Sequence, residues 1–162
     1  MRDGESNTGG WPSADTMGNH LNDLIFGGLP LHWQKLIRPV TVLSSAGNAT
    51  TDIVSMEQRL FLRAYAEIQN ISTVPCIHEV DSEAENLTFT LYTDNASRVK
   101  RLYNGTGDPV GEWWTRSPIA NNTQGFYHVT SSGYVASTSH ADYRVWKPHY
   151  VSWCCCMGGV CV

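Results

Sequence analysis

The octapeptide Gly111-Glu112-Trp113-Trp114-Thr115-Arg116-Ser117-Pro118 constrains this chain more than any other stretch. Each of the two adjacent Trp side chains carries roughly 200 Å² of mostly apolar surface and an indole N–H that needs an acceptor when buried. Successive side chains on a strand point to opposite faces, so one indole is expected in the core and the other under a loop or at a contact surface. Pro118 cannot donate to a ladder and is expected to stop the strand. Arg116 places a planar donor fork beside that point. The octapeptide reads as a structural keystone, with Arg116 and Pro118 shaping the bend that launches the later loops.

The rest of the chain sets the surroundings of that strand. Its 162 residues suit one domain with a single core, and 41% hydrophobic content is ordinary for a globular chain. Only 16% of residues are charged, so the surface is expected to be neutral and polar, as in an extracellular or particle-borne protein. A net charge of −4 offers no basic stripe to neutralise phosphates, which argues against a nucleic-acid partner. The densest basic cluster, Arg98-Val99-Lys100-Arg101, reads as a solvated helix face. No run approaches the roughly 18 apolar residues of a membrane span. Residues 1–10 lack the apolar stretch of a signal peptide, which leaves another export route, release within a particle, or a fragment as the open choices.

Ser13 is a good N-cap, and Met17, Leu21, Leu24 and Ile25 follow at helical spacing, so a helix ending at Gly27-Gly28 is expected. Pro30 starts a second helix with Trp33, Leu36 and Ile37 facing inward, and Pro39 stops it. Val40–Leu43 and Asp52–Met56 read as strands around the polar loop Ser44–Thr51. Residues Gln58–Ile68 fit a helix or a buried strand before a turn equally well. Leu87–Tyr92 alternates like an edge strand, and Ala96–Tyr103 reads as a short helix closed by Asn104-Gly105. After the Trp-Trp strand come three β-like stretches, Gly125–Thr130, Tyr134–Ser137 and Tyr143–Trp153, with a hairpin turn at Ser131-Ser132-Gly133. Helices first and an antiparallel sheet afterwards make an α+β arrangement.

Five cysteines are unevenly placed: Cys76 stands alone, and Cys154, Cys155, Cys156 and Cys161 crowd the end of the sequence. Five is an odd number, so at least one thiol stays unpaired within the chain or pairs outside it. The tail lacks the paired spacing of a zinc site and the position of a prenylated Cys. Two readings stay open. In one, 154–162 is a small closing strand with Cys as a compact hydrophobe; in the other, these cysteines form disulfides within or between chains.

In this order the elements resemble a bacterial and phage domain family of unassigned function, marked by a Trp-Trp-Leu-Arg-Ser-Pro strand. Here that strand reads Trp113-Trp114-Thr115-Arg116-Ser117-Pro118, departing only at Thr115. Gly9-Gly10-Trp11-Pro12-Ser13 with Leu21-Asn22 resembles the family's opening, and Leu29-Pro30-Leu31 with Ile37-Arg38-Pro39-Val40 its second helix. Ser44-Ser45-Ala46-Gly47, Arg98-Val99-Lys100 with Asn104-Gly105, and Phe126-Tyr127-His128-Val129 with Val145-Trp146-Lys147-Pro148 follow in order. The resemblance spans about residues 8–153 of one domain, leaving 154–162 as a Cys-rich extension. Leu62-Arg63-Ala64-Tyr65 departs from the family's apolar and Ser-rich segment. The resemblance implies a C-type-lectin-like fold with two N-terminal helices and a twisted antiparallel sheet with long loops. It also implies display and binding on phage virions or bacterial surfaces.

Calcium-binding lectin segments of the Glu-Pro-Asn and Trp-Asn-Asp kind do not occur, and Asp81-Ser82-Glu83-Ala84-Glu85 reads as a solvated acidic loop. No phosphate loop or dinucleotide fingerprint occurs, so neither metal nor cofactor is expected. Ser139, His140 and Asp142 contain triad residue types, but neighbours this close rarely aim at one another. The segment with Tyr134, Ser137, Ser139, His140, Asp142, Tyr143 and Trp146 mixes aromatic area with small polar groups, as adaptable binding surfaces do. It is the expected ligand face, set against a polar hairpin with aromatics packed beneath it. Six N-glycosylation sequons begin at Asn48, Asn70, Asn86, Asn95, Asn104 and Asn121. Roughly two would arise by chance in a chain of this composition, so they indicate glycosylation or simply Asn- and Thr-rich loops.

The leading expectation is a non-enzymatic display and binding domain of a virion surface (head fibre, decoration protein or tail adhesin). Its partners would be other virion subunits, copies of itself, and a host-surface glycan or protein. The alternative is an extracellular protein that self-assembles into filaments. A third is a formylglycine-generating-like oxidoreductase using the terminal thiols.

Overall fold

In the computed structural model the described residues are 7–8, 10, 18–47, 52–69, 92–101, 110–119, 125–136, 152–157 and 160–161. The fold is α+β, with few helices and small antiparallel sheets that do not close into a barrel.

The π-helical segment His20–Ile25 runs into the α-helical turn Phe26–Gly28, together α1. Asn22 Nδ2 donates to Gly18 O at 3.0 Å, engaging the carbonyl that an α-helix would offer to the Asn22 backbone N–H. Leu29 is extended and closes α1, and Leu31–Leu36 forms α2. This helix stops before Pro39 because Ile37 is already extended and starts β1, Ile37–Arg38.

Only part of the expected inward face is buried. Leu21 is in the core, and Ile37 enters it as a strand residue. Leu24, Trp33 and Leu36 are exposed, contrary to the inward facing expected of them, and Leu31 is 72% exposed. Helical spacing decides which side chains share a stripe, whereas burial also needs a neighbouring element to cover that stripe.

β2, Val40–Ser45, pairs antiparallel with β3, Ile53–Gln58, from Val40↔Gln58 to Ser45↔Ile53. The strand thus takes in Ser44 and Ser45, expected to be loop. The ambiguous stretch 58–68 contains both candidate structures: β4, Phe61–Leu62, and then α3, Tyr65–Ile68. The bend between β3 and β4 is held by Asn22 Oδ1, which accepts from the backbone N–H groups of Arg59 and Leu60, both at 3.1 Å.

α4, Asn95–Arg98, is capped by Asp94, whose Oδ1 accepts from Ser97 N at 2.8 Å. It ends earlier than its sequence suggested, since Lys100–Arg101 forms β5 against β6, Val110–Gly111. Arg98 is not a solvated charge. It is buried, with Nε donating to Ile68 O at 3.0 Å and Nη1 to Asn95 Oδ1 at 2.7 Å.

β7, Trp113–Pro118, is buried along its whole length and pairs with β8, Phe126–Val129, which pairs with β9, Val135–Ala136. Both indoles are buried, which rules out the contact-surface alternative for the second of them. Trp114 packs in the main core with Leu21, Ile37, Leu60, Leu62 and Phe126, while Trp113 packs in a second cluster with Ile68, Tyr92 and Val129. β7 is a partition with apolar packing on each face. Trp113 Nε1 donates to Arg98 O at 3.0 Å, so Arg98 provides the acceptor that this indole needs.

β10, Trp153–Cys154, pairs with β4; β11, Cys156–Met157, pairs with β1 and with β12, Val160–Cys161. Strands Leu87–Tyr92 and Tyr143–Trp153, and the Ser13 cap, were expected at positions almost wholly outside the described residues.

Candidate functional site

The register of β7 against β8 breaks between Trp114 and Pro118, where the Arg116 backbone N–H turns to a partner outside β8. Arg116 N donates to Arg63 O at 3.0 Å, and Thr115 Oγ1 donates to Tyr127 O at 2.8 Å. The Arg116 guanidinium clamps Glu67 through two bonds, Nη1 to Oε2 at 2.8 Å and Nη2 to Oε1 at 2.7 Å. It also donates to Leu62 O at 2.9 Å and Leu43 O at 2.7 Å. Ser117 Oγ accepts from Tyr65 N at 2.9 Å, and Glu67 Oε2 accepts from Ala64 N at 2.9 Å. Arg116 and Ser117 therefore dock the start of α3 and join β2, β4 and β7. Removing one partner of a buried charge pair costs about 3–5 kcal/mol, so this junction is structural in effect.

Glu67 was not singled out in the sequence, and Asn22 and Arg63 entered only within segments compared with the family. The usable signal was slight: a carboxylate three residues after Ala64 in the second half of an ambiguous segment. Arg63 places its guanidinium 5.2 Å from the Tyr92 ring centroid. Tyr65 and Tyr127 rings lie 5.0 Å apart, and burial pushes the Tyr65 phenol up, with Arg98 opposing the shift.

The hairpin joining β8 to β9 carries the one expected ligand-face residue that is described. Gly133 has φ +84°, and a Cβ there would stand 1.8 Å from Asn95 O, so only glycine fits against α4. Gly133 N donates to Thr130 O at 2.9 Å, Thr130 N to Tyr134 O at 2.8 Å, and Tyr134 N to Thr130 Oγ1 at 3.1 Å. With its backbone pinned, Tyr134 leaves its side chain 60% exposed. Ser137, Ser139, His140, Asp142, Tyr143 and Trp146 lie outside the described residues. Beneath the hairpin, the Trp114 and His128 rings meet edge-on at 6.2 Å, and Glu112 Oε2 lies 4.0 Å from His128 Nε2.

A family model described as a domain of unknown function, DUF6273, matches residues 2–151. The chain belongs to the DUF6273 family. Comparison with curated proteins and with solved structures gives no significant match.

The DUF6273 match contains β1 to β9 and stops just short of β10, yet the segment beyond it is part of the same core. Cys154, Cys155 and Cys156 are buried with Leu21, Ile37, Leu60 and Trp114. Cys154 and Cys155 are free thiols, so neither forms the disulfide expected within the chain. Cys156 is disulfide-bonded, to a partner outside the described side chains; Cys76 is likewise outside, and Cys161 is described only in its backbone pairing with Cys156. Burial pushes the Cys154 thiol up to about 12, against the opposing pull of the Arg63 and Arg116 charges. Its Sγ donates to Phe61 O at 3.2 Å. Burial also raises Cys155. A thiol held protonated in this way is a packing group, because the thiolate is the nucleophile.

An open cleft of about 280 Å³ lies in the DUF6273 domain beside α1, lined by Asn22, Phe26, Pro39, Glu57, Gln58 and Arg59. Much of its polarity is already engaged. Asn22 Nδ2 donates to Leu60 O at 3.0 Å and to Gln58 Oε1, and Arg59 donates to Ile37 O at 2.9 Å while covering the Phe26 ring. Among the described residues no group of three or more His, Cys, Asp or Glu could hold a metal ion. Among the same residues no helix is long and apolar enough to cross a membrane.

Of the six sequon asparagines, Asn95 is described, and Asn48, Asn70, Asn86, Asn104 and Asn121 are outside the described residues. Asn95 begins α4 and accepts from Arg98 through Oδ1, while Ser97 Oγ donates to Asp94 O at 2.7 Å. This sequon is a capped helical turn with both key side chains engaged.

Proposed function

We infer that the chain is a non-enzymatic display and binding domain with a C-type-lectin-like fold, carried on a phage virion as a head fibre, decoration protein or tail adhesin. It mounts on the particle and presents the segment that begins at Tyr134 to a host-surface polymer. The observation that carries this reading is the exposed Tyr134 on a hairpin whose backbone is fixed against α4. A rigid base under adaptable aromatic and small polar side chains is the economy of a binding surface. Low charge content supports a particle-borne setting, and the protonated Cys154 counts against the thiol-enzyme alternative.

The test replaces Tyr134, His140, Tyr143 and Trp146 with Ala and follows adsorption of particles bearing the variant to host cells. Adsorption is expected to fall at least tenfold with thermal unfolding unchanged. Full adsorption by a folded variant overturns the ligand-face assignment. A second reading, an extracellular filament subunit, draws support from the exposed Leu24, Leu31, Trp33 and Leu36 on α1 and α2, since clustered surface apolar groups favour association. Electron microscopy of native material separates the two: capsids bearing the protein support the first, and helical arrays the second.

A further inference from the structure

We propose that segment 152–157 is an exchangeable strand, and that the groove it fills between β4 and β1 accepts the same segment from a second copy of the chain. The segment lies beyond the DUF6273 match yet completes the core, by strand pairing along two edges and by burying Cys154, Cys155 and Cys156. β10 pairs Trp153 with Leu62 and Cys154 with Phe61; β11 pairs Met157 with Ile37 and Cys156 with Arg38. Among the described residues, β4 pairs with no strand except β10, and β1 with none except β11. When the segment leaves, both edges lose their ladder partners and the core opens beside Trp114 and Leu60. An unpaired edge above an apolar cleft is a template for strand addition.

The occupant is specified by what already sits there. Cys154 and Cys155 give compact apolar side chains packed in one cluster with Leu21, Ile37, Leu62 and Trp114, and the register places Cys154 opposite Phe61 and the disulfide-bonded Cys156 opposite Arg38. A second copy supplies the identical segment, so pairing between copies makes the same contacts as pairing within one. The balance is then set by protein concentration against the effective concentration of the attached segment. The inference is independent of what the domain binds, and its readout is assembly.

The experiment mixes full-length Leu62→Cys chain with full-length Trp153→Cys chain, co-refolds them at high concentration, and oxidises. These positions face one another across β4 and β10, so a 62–153 cross-link between chains forms only when one copy's segment lies on the other's β4. The expected result is a covalent heterodimer in the mixture well above the dimer from either variant alone, with the 62–153 bond identified by peptide mass mapping. The Leu62→Cys/Trp153→Cys chain, diluted, should close the same bond internally. Light scattering of the parent chain provides a readout that does not depend on variant folding: after co-refolding, its dimer-to-monomer ratio should rise about tenfold for a tenfold rise in monomer concentration. A parent chain that refolds as monomer at every concentration overturns the proposal. So does a folded mixture with no 62–153 bond between chains.

Discussion

β7 and the C-terminal strands β10 and β11 both place polar or polarisable groups in one core, by opposite means. β7 buries a permanent charge and surrounds it: Arg116 meets the Glu67 carboxylate and the carbonyls of Leu43 and Leu62. At the terminal strands Cys154 and the adjoining Cys155 are buried as thiols, which need few partners while they stay neutral; Cys154 donates to Phe61 O. The first solution costs a network drawn from three elements, and its failure is abrupt. The second needs only burial, and it leaves a group that responds to pH. A charge in the core must be matched by structure, whereas a thiol is matched by protonation.

The largest effect should come from breaking the first arrangement. Arg116→Met leaves Glu67 without its bidentate partner and should cost about 3–5 kcal/mol in urea unfolding. Arg116→Met/Glu67→Leu should recover much of that loss by removing the orphaned carboxylate. Equal stability of the single and double variants would show that the charge pair is not the source.

The thiol arrangement should fail with pH instead. The Cys154 pKa is raised from 9.0 to about 12 in the folded chain, so its contribution is complete below pH 9. Above that point the unfolded thiol ionises while the folded one stays neutral, and stability should fall by about 1.4 kcal/mol per pH unit until pH 12. Tyr65 and Cys155 are also raised, so the comparison is parent against Cys154→Ala over the same range. Identical slopes would remove Cys154 from the account.

The smallest effect sharpens the contrast with a region that has neither device. Leu31 is exposed on α2, and Leu31→Gln should change stability by no more than about 0.5 kcal/mol. A larger loss, read by thermal unfolding, would mean that this face is covered.

The legible parts of the fold were those governed by local chemistry. The β7 strand with its end at Pro118, the strands β2 and β3, the Gly133 turn and the short helix near Arg98 all follow from propensity and turn residues. Burial was harder to read. Two Trp on opposite strand faces are both covered because β7 separates two apolar clusters, and that depends on elements far away in the chain. Trp33 and Leu36 have helical spacing but remain exposed. Arg98 looked like one of three surface cations, yet the carbonyl of Ile68 and the indole of Trp113 give it an interior role. Glu67 was hidden because residues 58–68 change from strand to helix within a few positions, and neither periodicity has room to emerge. For the candidate site only Tyr134 has a described position, so the sequence remains the basis for its neighbours.

The pairing of β4 with β10 joins residues distant along the chain: Phe61 and Cys154 are 93 residues apart. During synthesis at roughly 5–20 residues per second, β4 waits several seconds before that partner exists. Over that interval its edge is open to any extended segment nearby, including another nascent chain on the same message. Contacts with long sequence separation also form late in folding, since loop closure must precede them. Slower translation of the region between β9 and β10 should therefore lengthen the time during which neighbouring chains can meet.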